Sequence, residues 1–143
     1  MFLLDVNVLI ALADPFHVHH KRVSAWFSRH QREGWATCPL TENGLLRIVG
    51  HPNYPKGPGS PGAVRVLLER LFAQPGHQFW ADTLSLADSR AYPSLPASKH
   101  LTDFYLLALV IERRARLATV DSYIDPSLIP GGPPAYYIIP SGL

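Results

Sequence analysis

The chain has 143 residues, 47% of them hydrophobic and 17% charged. That length lets one domain bury about 68–70% of its unfolded surface, and the composition excludes a disordered or fibrous chain. With 13 Lys and Arg against 11 Asp and Glu, the net charge of +2 is too mild to announce a nucleic-acid partner by itself, and a single cysteine, Cys38, excludes a disulfide framework or a cysteine-rich zinc module.

Residues 2–6 (FLLDV) form a short apolar run containing an acid, the pattern of a strand buried on both faces. A short helix is expected over 7–13, with Asn7 as its cap. No basic region precedes this stretch, and Asp5 and Asn7 interrupt it, so it does not read as a signal peptide. No other stretch approaches the roughly 18 uninterrupted apolar residues of a membrane span. A soluble, cytoplasmic protein is expected.

The next helix is expected over 17–31, with Val18, Val23, Trp26 and Phe27 inward, and Gly34 stopping it. WATCPL (35–40) reads as a second strand closed by Pro39, and Thr41 as the cap of a helix over 42–50. Residues 51–62 are a loop, with proline at 52, 55, 58 and 61. A helix follows over 63–73, with Val64, Leu67, Leu68 and Leu71 inward, then a strand over 79–86. Thr102 is the expected cap of the most apolar helix, 103–115; strands close the chain at 117–121 and 135–140. Strands alternating with helices predict one three-layer α/β/α domain over residues 1–143, around a central, mainly parallel sheet.

Four acids do not fit a core. Asp5 and Asp121 lie at or near the ends of the two best strands; Glu42 and Asp103 open helices. In an open parallel sheet such positions converge beyond the carboxyl ends of the strands. Buried carboxylates need partners, and few basic residues are local to these four. A divalent cation with hard oxygen ligands, Mg²⁺ or Mn²⁺, resolves the repulsion among them. Each acid alone has a structural reading too: a first-turn acid favours the helix dipole, and Asp121 could cap a turn.

In order and spacing, LLDVNVLIALAD, Thr41-Glu42, LTDFYLLALV and LATVDSYI resemble the PIN-domain ribonucleases, and most of all the VapC toxins of bacterial toxin–antitoxin pairs. The resemblance covers nearly the whole chain. It implies Mg²⁺-dependent endonucleolytic cleavage of RNA, leaving a 5′-phosphate and a 3′-hydroxyl. It also implies that Asp5, Glu42, Asp103 and Asp121 are the catalytic acids, with Asp5, Asp103 and Asp121 as metal ligands. Asn7 and Thr102 match the polar companions of the first and third acids, and Arg47 is a candidate substrate contact. The fourth position varies in the family, and SYIDPSL departs from its usual continuation, so Asp125 is the alternative to Asp121. A cognate VapB-type antitoxin and a homodimer are implied as partners, with the helix at 63–73 one candidate surface for either.

Basic residues must flank such a pocket. Lys21, Arg22, Arg29 and Arg32 lie along one expected helix, Arg113, Arg114 and Arg116 end another, and Lys56 stands in the Pro/Gly loop with Tyr54, a candidate to stack on a base or simply to pack. His17, His19 and His20 lack zinc-ligand spacing. His100, three residues before Asp103, is a candidate to touch substrate or, more simply, an exposed turn residue, and Trp26, Trp35 and Trp80 are expected as core or interface residues. An aspartate-nucleophile phosphatase would need a second Asp at position 7, where Asn7 stands. The other alternative is a catalytically inactive PIN-like module that binds RNA or protein.

Overall fold

Three consecutive apolar residues, Phe2–Leu4, form β1 and are all buried, as the middle strand of a sheet covered on both faces requires. The computed structural model describes residues 1–141. The helix α1 (Val6–Ala13) begins at once, and its cap is Asp5: the carboxylate accepts from the Val6 N–H at 2.7 Å. Asn7, the expected cap, lies inside the first turn.

Residues 14–19 make turns, with the Asp14 carboxylate accepting from the Phe16 N–H, so α2 (His20–His30) starts later than its sequence pattern suggested. Val23, Trp26 and Phe27 face inward, whereas Val18, in the turn, is 86% exposed. After β2 (Trp35–Thr37), Pro39 opens α3 (Pro39–Val49) instead of closing the strand, because the first helical position needs no N–H. Cys38 is the cap, and the Thr41 hydroxyl accepts from the Cys38 N–H at 3.0 Å, so Thr41 stands one turn inside the helix it was expected to cap. Ser60 caps α4 (Pro61–Phe72), which buries Val64 and Leu68 and leaves Leu67 and Leu71 half-buried.

The third strand, β3, is His77–Phe79, not 79–86. It is an edge strand whose polar residues carry no apolar signal. Residues 80–97 contain no regular element, and Leu84, Leu86 and Tyr92 pack onto α5 (Leu101–Glu112) and its neighbours. That helix has no side-chain cap, and Thr102 is an exposed residue of its first turn. β4 (Arg116–Thr119), the single turn α6 (Gly132–Ala135) and β5 (Tyr136–Ile138) complete the chain.

The sheet order is β3-β2-β1-β4-β5 and every pairing is parallel. Alternate residues of β1 feed two cores. Phe2 and Leu4 join Trp26, Trp35, Leu45 and Val64 under α1–α4; Leu3 joins Phe104, Leu107 and Trp80 on the α5–α6 side. The expected α/β/α layering is therefore present. From β1 the chain lays β2 and β3 to one side, then crosses to lay β4 and β5 on the other. This reversal leaves a crevice beyond the carboxyl ends of β1 and β4, where open parallel sheets bind ligands.

Gly76 links the layers before β3. Its φ is +89°, and a Cβ there would come within 2.1 Å of the Gln31 carbonyl oxygen. Gly76→Ala is expected to lower stability by about 2–4 kcal/mol, combining left-handed backbone strain with a backbone overlap that cannot relax cheaply. Urea denaturation against wild type checks this.

Candidate active site

Asp5 sits at the mouth of the crevice because its N–H continues the β1–β4 ladder, donating to the Ala118 carbonyl at 3.0 Å. Its side chain is only 6% exposed. One carboxylate oxygen caps α1; the other accepts from the Thr119 hydroxyl at 2.9 Å. Burial, then the charges of Asp103 and Asp121, push its pKa from 3.8 up to about 7, against the hydrogen bonds from Thr119 and Val6. Asp103, half-buried in the first turn of α5, is also pushed up, by burial first and by Asp121, while His100 opposes this.

Thr119 ties the centre together. Its hydroxyl donates to Asp5 and accepts from the Asn7 side-chain amide at 3.0 Å and the Asp121 N–H at 3.3 Å. The other amide hydrogen of Asn7 goes to the Asp121 carboxylate at 2.9 Å, and the Asn7 carbonyl accepts from the Val120 N–H. Asn7 thus orients Asp121 rather than capping a helix. Tyr136, on β5, donates its hydroxyl to the Asp121 carbonyl at 2.6 Å; burial and the charges of Asp5, Asp103 and Asp121 push that hydroxyl up to about 12.

Sequence reasoning passed over Thr119 and Tyr136. The signal for Thr119 was available, since a strand places residues 119 and 121 on one face. Nothing local marks Tyr136, which comes from the far side of β4.

The carboxylate of Glu42, in the first turn of α3, accepts from the Thr37 hydroxyl at 2.6 Å. Thr37 has one proton and gives it to Glu42, so the His77 Nε2 at 2.9 Å carries a hydrogen and donates to Thr37. Asp125, the alternative fourth acid, is exposed and accepts from the Ser127 N–H and hydroxyl, bonds that hold its pKa low. Thr102 and Arg47 are both exposed on first and last helical turns.

The basic groups divide. The Arg116 guanidinium lies 4.5 Å from the Phe2 ring centroid, Arg113 lies 4.9 Å from that of Trp80, and Arg22 donates to the Ile139 carbonyl. Arg113 and Arg116 thus lie over aromatic rings while staying exposed, and Arg22 is half-buried. Tyr54 is a packed loop aromatic, its hydroxyl donating to Asp14. His20 is bonded to the Ala11 carbonyl and His17 accepts from the His19 N–H, with Asp14 and Asp121 among the charges His17 feels. Trp26, Trp35 and Trp80 are core.

Among the described residues, no Lys or Arg lies within ion-pair distance of Asp5, Asp103 or Asp121, and no three His, Cys, Asp or Glu side chains close into a ready-made metal cage. Repelling, all-oxygen donors with no counter-cation fit a hard divalent ion. An open arrangement fits one that keeps several waters, as Mg²⁺ does. A thiolate site is excluded at Cys38, whose buried thiol is pushed up to about 11.

No family model matches the chain. Among curated proteins of Mycobacterium tuberculosis, Ribonuclease VapC44 is 41% identical over 131 residues, which cover 90% of this chain and 92% of the relative. Ribonuclease VapC38 is 45% identical over 123 residues, 85% of this chain and 86% of its own length. Ribonuclease VapC39 is 37% identical over 131 residues, 90% and 94% respectively. Identity at this level along nearly the full length of both partners is incompatible with a shared fold alone, and the protein belongs to the VapC family of PIN-domain ribonucleases.

Proposed function

We propose that the protein is the toxin of a VapBC-type pair, a Mg²⁺-dependent endoribonuclease whose phosphodiester cleavage takes place over Asp5, Asp103 and Asp121. One observation carries this reading. Three carboxylates share the switch-point crevice, one of them buried and pushed up to about 7, with no Lys or Arg paired to any of them. Such an arrangement is costly in a scaffold and useful in a cation-dependent hydrolase. It also disfavours the inactive-module alternative.

Asp5, Asp103 and Asp121 would hold the ion. When bound, Mg²⁺ supplies a more acidic water and neutralises charge on the scissile phosphate, and Mn²⁺ can take its place. Thr119 and Asn7 fix the orientation of Asp5 and Asp121. Glu42, held by Thr37, is assigned to completing the acidic surface that orders water around the phosphate. Exposed Thr102 and Arg47 are assigned to RNA contacts. Residues 1–143 act as one domain in the cytoplasm, where RNA and antitoxin meet it. Among the described residues no helix is long and apolar enough to cross a membrane.

The antitoxin is assigned to the cleft of about 300 Å³ between α1, α2, α3 and α4, with an apolar floor that includes Leu12, Phe27 and Leu71 and a polar rim that includes Gln31 and Arg70. Such a cleft suits the apolar face of an amphipathic segment. Homodimerisation is part of the same reading.

Incubating the purified protein with total cellular RNA, with Mg²⁺ or with a chelator, tests the activity. New 5′-phosphate ends that require the ion support it, and identical RNA in both arms overturns it. Thr119→Val is expected to reduce cleavage about 10–100-fold, as loss of an outer partner of a metal ligand does, while Thr119→Ser stays near wild type. Equal rates for the Val and wild-type proteins would remove Thr119 from the centre.

A further inference from the structure

Two aromatic rings flank the carboxylates from separate loops. His100 ends the turn leading into α5, close enough for its charge to act on Asp103. Tyr123 follows Asp121 by two residues and is 62% exposed, a large aromatic face in water beside the most polar crevice of the molecule. The rings face each other at 24°, with centroids 6.4 Å apart. Tyr123 is the exposed member of the pair and His100 the half-buried one, whose Nδ1 is buried without a partner.

The backbone leading to the exposed ring is anchored: Tyr136 donates its hydroxyl to the main-chain carbonyl of Asp121 at 2.6 Å, two residues before Tyr123. An exposed aromatic beside the acids is what single-stranded RNA recognition uses: a base is splayed out and stacked while its phosphate lies elsewhere.

We propose that Tyr123, backed by His100, forms a platform that stacks one unpaired nucleobase of the RNA and so sets the neighbouring phosphate over Asp103 and Asp121. The location beside the cleavage point rests on the reading of the acidic centre given above; the base stacking itself does not. Because a π-face is common to every base, the platform selects for unpaired rather than for particular sequence.

The test separates the two. Binding is measured by fluorescence anisotropy in chelator-containing buffer, using a 5′-labelled single-stranded RNA of about ten nucleotides with mixed sequence, and the same strand with abasic ribose throughout. Tyr123→Ala is expected to weaken binding of the intact strand about 5- to 150-fold, with Tyr123→Phe near wild type and the abasic strand bound alike by all three. In Mg²⁺, Tyr123→Ala is expected to lower kcat/KM for RNA cleavage by at least a similar factor, with kcat falling as the phosphate loses its placement. Equal affinity of Tyr123→Ala and wild type for the intact strand overturns the platform, as does a wild type that binds intact and abasic strands equally. Absence of cleavage by wild type, with the binding differences intact, overturns the acidic centre and leaves the platform standing.

Discussion

Metal-free Asp5→Asn is expected to be more stable than wild type at pH 8 and to lack most of the wild-type decline in stability between pH 5 and pH 8. The sign follows from proton binding. Asp5 has a pKa of about 7 folded against 3.8 unfolded, so across that interval the folded chain holds the extra proton. Stability therefore falls as pH rises, and the loss is complete above about pH 7. The span corresponds to at most about 4 kcal/mol. Asparagine keeps the oxygen that accepts from Val6, and its amide can donate to the Thr119 hydroxyl in place of the Asn7 amide, which retains Asp121, while Thr119 turns to donate to the Asn7 carbonyl. Urea denaturation in chelator at several pH values reads the difference. Parallel pH curves for the two proteins would show that Asp5 is not held as an uncompensated buried carboxyl. Mg²⁺ is expected to recover wild-type stability at pH 8 and to do little for Asp5→Asn, because the cation takes the place of the missing proton.

Asp103→Asn is expected to abolish RNA cleavage, a loss larger than the ~10–100-fold that outer partners of metal ligands account for. The structural cost is small. Asp103 is half-buried in the first turn of α5, where replacing the charge removes about 0.3–1 kcal/mol of helix-dipole stabilisation and leaves the side-chain shape intact. The paired measurement is circular dichroism, expected to match wild type, and mapping of 5′ ends in total RNA, expected to be blank. Cleavage retained by a rigorously purified Asp103→Asn protein would remove that residue from the centre. The same variant adds a check on electrostatics: with one repelling charge gone, the Asp5 pKa should fall.

The sheet and its layering were legible because strands such as FLL and RLAT are too apolar for any place but a covered parallel sheet. The ends of elements were not. Pro39 could close a strand or open a helix, and only the Cys38–Thr41 hydrogen bond decides. β3 escaped notice because His77 and Gln78 sit on an edge, where burial does not impose a pattern, while FWADTLSL carries apolar residues that serve the wrap over α5. For the acids, position along the chain indicated a shared edge, and Asp103 and Asp121 lie near enough to Asp5 for their charges to push its pKa up. What sequence could not supply was orientation. Thr119, Asn7 and Tyr136 act through hydrogen bonds between residues more than a hundred positions apart or across neighbouring strands. Glu42, equally prominent in the sequence, accepts from Thr37, whose hydroxyl is in turn bonded to His77.

The central place of β1 has a consequence for synthesis. The first strand made must wait for the fourth: Leu3 and Leu4 pair with Leu117 and Ala118, so the middle of the sheet stays open until most of the chain has left the ribosome. Asp5 emerges early, yet its neighbours at 103, 119 and 121 come only near the end. A chain that ends before β4 therefore lacks the pairing that closes the middle of the sheet and the Thr119 hydroxyl that holds the Asp5 carboxylate.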